Sequence, residues 1–202
     1  FQMIKFFNKI KEFKDEIQKA GIDIPIESIF NLDFPFVEKT KKFTVINVPD
    51  YISENPENII VTSERKTLIY SRKELNNFKN FRQITGKKYG ESTVIIFLLL
   101  KNVLKNYSKE FENIRSIMNK IDVKPFLDDV EKSGRQLRRL TDRIEGLVQL
   151  IMTLKERDIR EFDTSLIGFD YEILQSEARY LLERCRSHIY RIASLRTKSE
   201  ME

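Results

Sequence analysis

The chain has 202 residues, 41% of them apolar, with 36 Lys and Arg against 31 Asp and Glu and a net charge of +5. That is long and apolar enough for one or two domains with a packed core, which excludes a disordered chain. A single cysteine excludes a disulfide framework and a Cys-rich zinc site, and the charges interleave, as in IKEFKDEIQKA and KERDIREFD, in the manner of solvated helix faces.

FQMIKFFNKIKEFK places Lys every few positions, so it lacks the continuous apolar run of a secretory signal and predicts an amphipathic helix over residues 2–20. Gly21 and Pro25 stop that helix. A helical turn over residues 26–31 precedes FPFVEK, where Pro35 holds its neighbour extended. FTVINV (43–48) alternates and is rich in β-branched residues, which predicts a strand. NIIVTS (58–63) and TLIYSR (67–72) predict an antiparallel hairpin, and LNNFKNFRQI (75–84) a short helix ended by Gly86.

From Glu91 the apolar period becomes helical, with breaks at Lys124 and Pro125 and again near Ile167 and Gly168. The first long helix is apolar all round at VIIFLLL (94–100), a run far short of the ~20 residues that cross a bilayer, so its first half belongs in a core. The second, over 126–160, carries Leu137, Leu140, Ile144, Leu147, Ile151 and Leu154 at spacings of three and four. In the last, Leu174, Ala178, Leu181, Cys185, His188, Ile192, Leu195 and Ser199 follow strict 4-3 spacing, a narrow seam of the coiled-coil kind. Such a seam suggests self-association; antiparallel packing within the same protomer is the alternative. The fold class expected is α+β: a small, mainly antiparallel sheet covered by helices, then long helices.

Catalytic chemistry finds little support. No Gly-rich loop follows a strand to cradle phosphates, and no GxSxG elbow occurs. His188 is alone on an apolar seam and reads as a packing residue. Cys185 lies between Arg184 and Arg186, which would lower its pKa, but no base stands at a useful spacing. Among carboxylates, Asp128 and Asp129 read as partners of a helix N-terminus, while Asp50, Asp158, Asp163 and Asp170 have no diagnostic spacing. An enzyme is not expected. The residues alone point to a basic α+β domain with a helix that oligomerises, an oligomeric scaffold or nucleic-acid-binding module being the reading of a different class.

EIQKAGIDIPIESIFNLDFPFVEKTKKFTVINV (16–48) resembles a segment of the CorA family of divalent-cation transporters in which a helix, a turn with Pro, a short helix and a Pro-x-Val-Glu stretch lead into an apolar strand. The likeness continues through NIIVTSERKTLIYSRKELNNFKNFR, the long helix from Glu91, LTDRIEGLVQLIMTLKERD as a returning helix, and YLLERCRSHIYRIASLRTKSEME as the cytosolic part of a pore-lining stalk. The resemblance implies a regulatory funnel domain over 1–90, a helical hairpin over 91–165 and a stalk over 166–202. That stalk would continue into a transmembrane span outside this chain, and the uncapped end SLRTKSEME and the absence of an initial Met fit a fragment. The N-terminus is expected to lack the strands that precede the first helix in the family.

The family likeness further implies a homopentamer in the cell membrane, with this domain on the cytoplasmic side, that carries Mg²⁺, or Co²⁺, and is held closed by the same ion bound between protomers. No nucleic-acid partner follows from it, and a Zn²⁺-carrying member is the alternative. Carried over by position, the regulatory pair is Asp50 after the strand and Asp163 before the stalk, with Asp170 in reserve. Asp163 follows Phe162 directly, one position earlier than the family pattern has it, and one position turns a helical side chain by ~100°. Ser199 takes the place of a small polar pore-facing residue.

Overall fold

The computed structural model describes residues 3–30, 32–49, 58–63, 65–72, 91–121, 126–156 and 168–201. Five strands are described: β1 (Met3–Phe7), β2 (Phe36–Lys39), β3 (Thr44–Asn47), β4 (Asn58–Thr62) and β5 (Lys66–Ser71). They form one sheet in the order β1-β5-β4-β3-β2, with β1 parallel to β5 and every other pair antiparallel. The helices are α1 (Ile10–Lys19), α2 (Ile26–Phe30), α3 (Glu91–Ile121), α4 (Leu127–Glu156) and α5 (Gly168–Met201). The mostly antiparallel α+β architecture is therefore as expected, and the 58–72 hairpin is present.

The N-terminal segment corrects the sequence reading. Met3–Phe7 is a strand, preceding the first helix, and that helix begins only at Ile10. Its period is two: Ile4 and Phe6 pack into one core, while Phe7 packs into another and Lys5 reaches Glu16 on α1. Phe6 and Ile10 followed by Phe13 mimic a helical stripe, but pairing with β5, some sixty positions later, decides the local conformation, and such a partner leaves no local trace. The helix expected over 75–84 lies outside the described residues.

Register lines up one apolar rung across all five strands: Val37, Ile46, Ile60, Ile69 and Phe6. This face packs into the main core with α3 and α4. The opposite face, through Val45, Val61 and Leu68, is covered by Phe13 and Ile17 of α1 and Ile29 of α2. Covered on both faces, β3 and β4 read as nearly unbroken apolar runs. Glu38 and Lys5 terminate the second rung at the two edge strands, where water meets the sheet.

The long helices form a three-helix bundle continuous with the sheet core. Two close approaches join them. A Cβ added at Gly146 of α4 would meet Pro35 Cδ at 2.8 Å, so the bare backbone there admits the chain leading into β2. Tyr107 of α3, fully buried, donates through its hydroxyl to the Pro49 carbonyl at 2.5 Å, fixing the exit of β3.

Candidate metal-sensing and assembly face

The first turn of α5 presents Asp170 to solvent, where a carboxylate is favoured by the helix dipole. Beside it Phe169 is 74% exposed, whereas Tyr171 is fully buried against Phe97 of α3 with ring centroids 5.4 Å apart. The Tyr171 hydroxyl has no hydrogen-bond partner among the described residues, and burial pushes its pKa well above the usual phenol range. Tyr171 thus pins the start of α5 to α3 and leaves Asp170 facing outward. Asp50 and Asp163 lie outside the described residues, but Pro49, next to Asp50, is held on Tyr107. Phe97 and Tyr107 are ten positions apart on α3, or ~15 Å along its axis.

The 4-3 seam is buried, but against the chain's own helices. Lys155 reaches Gln175 at 3.1 Å, Arg179 the Met152 sulfur at 3.7 Å, Arg186 Glu145 at 3.2 Å and Arg196 Glu131 at 3.9 Å, so α4 and α5 run antiparallel. Arg184 pairs with Glu112 at 3.1 Å and Arg191 with Asn119 at 2.9 Å, so α3 runs parallel to α5. Leu174, Ala178, Leu181, Cys185, Ile192 and Leu195 are all buried in this bundle. The spacing that suggested self-association is satisfied inside one protomer, because a three-helix bundle uses the same knobs-into-holes geometry as an oligomeric coiled coil.

His188 is a packing residue: its Nδ1 lies 2.9 Å from the Arg184 carbonyl and its ring meets Phe111 edge-on at 5.0 Å. Burial pushes the Cys185 thiol up to about 12, outweighing the Thr141 hydrogen bond and the Arg184 charge that favour the thiolate. The flanking arginines are engaged elsewhere, Arg184 on Glu112 and Arg186 on Glu145 and Glu183. Ser199 is half-buried and lies on the seam line, four positions beyond Leu195.

A second face of α5 escaped the sequence reading. Phe169, Ile173, Tyr180, Tyr190 and Met201 are 74%, 43%, 67%, 79% and 82% exposed. With the exposed Ser176, Ser187 and Ser194 they lie roughly 140° around the helix from the buried seam. The signal was an apolar residue recurring off the main stripe, which a search for one seam passes over. Among the described residues, no group of three or more His, Cys, Asp or Glu side chains is placed to hold a metal. No described helix is long and apolar enough to cross a membrane.

Comparison with known proteins places the fold. No family sequence profile matches the chain, and no curated protein matches it by sequence. Solved structures do match. The soluble domain of CorA from Methanocaldococcus jannaschii aligns with 95% of this chain and 84% of its own, with a TM-score of 0.66 at 15% identity. The ZntB cytoplasmic domain from Vibrio parahaemolyticus aligns with 100% and 88%, with a TM-score of 0.75 at 10% identity. Full-length CmaX aligns with 98% and 67%, with a TM-score of 0.72 at 9% identity. The chain therefore has the fold of the CorA, ZntB and CmaX soluble domains over nearly its whole length.

Proposed function

We propose that this chain is the cytosolic regulatory domain of a CorA-type divalent-cation transporter, carrying Mg²⁺ or Co²⁺, and that it has no enzymatic role. The observation that carries the reading is the shared fold over 95% or more of the chain, ending in a 34-residue α5. Residues 1–90 would act as the sensing unit, 91–165 as the hairpin that carries it, and 166–202 as the stalk leading to the membrane, with this domain on its cytoplasmic side. The exposed Phe169, Ile173, Tyr180, Tyr190 and Met201 supply the surface for assembly, for which we propose a homopentamer around the α5 axis. Ser199, the pore-facing hydroxyl that the resemblance implies, lies on the seam line and not on that exposed face.

The regulatory ion would be bound between copies by Asp50 of one chain and Asp163 of the next, with Asp170 in reserve for the second role. Of the three, only Asp170 lies among the described residues, and it does not complete a site by itself. Mg²⁺ commonly takes one or two carboxylates and keeps its waters, so a site divided between two protomers suits it. The ion offsets carboxylate repulsion at the boundary, and its loss as the cellular concentration falls releases the protomers; binding and gating are then linked reciprocally. Zn²⁺ as the carried ion is the competing reading, favoured by the match to a ZntB domain.

The coding sequence after Glu202 tests this. Two apolar segments of ~20 residues each, joined by a short loop bearing Gly-Met-Asn, are expected. A stop codon within a few residues would overturn the transporter reading in favour of a scaffold.

A further inference from the structure

Between the parallel helices α3 and α5 lies an open groove of about 350 Å³, at the small end of the range for small-molecule sites. Its floor is apolar, formed by buried Leu104 and Leu181. Lys101 and Lys105 stand on the α3 wall with Ser108 beyond them, and Glu177, Tyr180 and Arg184 on the α5 wall.

The polar groups of this groove are unusual in what they lack. Elsewhere on α5 the arginines are engaged: Arg186 with Glu145 and Glu183, Arg196 with Glu131 and Glu200. Lys101 and Lys105 are exposed and have no salt-bridge partner among the described residues, and Glu177 has none either. The one fixed cation is Arg184, held by Glu112 at 3.1 Å and stacked 4.6 Å above the Phe111 ring, with its guanidinium 5.8 Å from the Tyr180 ring. That ring is 67% exposed.

We propose that this groove binds a nucleoside diphosphate. Lys101 and Lys105 lie one turn apart on the same helix face, ~6 Å along the axis, a span that two linked phosphates cover. A bare inorganic anion would use the lysines but would gain nothing from an apolar floor and an aromatic wall, and Glu177 would repel it. A nucleoside uses all of them: the base against Tyr180, with the Arg184 guanidinium behind the ring, and ribose hydroxyls donating to the Glu177 carboxylate. With Arg184 already paired to Glu112, Lys101 and Lys105 against the Glu177 carboxylate leave the groove net positive, which suits an anionic ligand. The ligand would bridge α3 and α5, and it would share Tyr180 with the face proposed for assembly.

Titration calorimetry of the 202-residue chain with ADP, at low salt and without divalent cation, tests the assignment. One saturable site is expected, and Lys101→Ala with Lys105→Ala should weaken it about ten-fold or more. Pyrophosphate should bind more weakly than ADP, and Tyr180→Ala should erase that difference. All three side chains are exposed, so the variants should melt with the parent chain. Absence of saturable ADP binding, equal affinity for ADP and pyrophosphate in the parent chain, or an unaltered affinity in the double variant would each overturn the proposal. So would self-association abolished by the two lysine substitutions, which would show that a second copy fills the groove.

Discussion

Glu16 shows how one side chain ties the sheet to α1. Its carboxylate accepts hydrogen bonds from Lys5 of β1 and Lys66 of β5, each at 2.9 Å, and these hold its pKa down to about 2 against the ordinary 4.5 despite the opposing cost of burial. A depressed carboxylate stabilises the fold fully above its unfolded value, and that contribution is lost as pH falls from about 4.5 toward 2. In urea denaturation, Glu16→Gln should therefore differ most from the parent above pH 5 and converge with it on acidification; a gap independent of pH would refute the pairing. Gly146→Ala should destabilise by ~1–3 kcal/mol through overpacking on Pro35, although alanine is the better helix former by ~1 kcal/mol. Pro35→Ala in the same background should recover much of that loss if the ring is the obstacle, as calorimetric melting would show. A glycine inside a strongly periodic helix was the visible signal for this contact; what it touches was not, because Pro35 lies more than a hundred positions earlier.

At the scale of elements, the long helices and the 58–72 hairpin were legible because their apolar periods are sustained and bounded by turn residues. β1 was not, since five residues of mixed period take their conformation from β5. The two faces of α5 divide labour in a way the sequence half disclosed: the 4-3 spacing marked the buried seam but not its partner, for spacing identifies a knob and not the hole it enters. Leu174→Ala, on the seam and 2% exposed, should cost ~2–5 kcal/mol of stability. Tyr190→Ser, on the 79% exposed position, should change stability by less than ~0.5 kcal/mol while reducing self-association in sedimentation velocity. If the two substitutions exchanged effects, the seam would be the intermolecular surface after all.

For the whole molecule, the resemblance in residues 16–48 anticipated a fold that pattern alone left at "α+β", and the structural matches bear that fold out at 9–15% identity. The proposed cation site was far less legible, because two carboxylates that only a second chain would bring together leave no spacing to read in one. Physically, such a site converts ion concentration into subunit contact, so a cation that binds the folded, assembled state must also raise its stability by mass action. The direct measurement is the thermal unfolding of the chain titrated with Mg²⁺, Co²⁺ and Zn²⁺, against K⁺ at matched ionic strength, for the parent and for Asp50→Ala with Asp163→Ala. The account predicts a midpoint that rises by several degrees with Mg²⁺ or Co²⁺, saturates, and is insensitive to them in the double variant. A Zn²⁺-only response would reassign the ion; an equal rise in the double variant, or none in the parent, would contradict cation sensing by these residues.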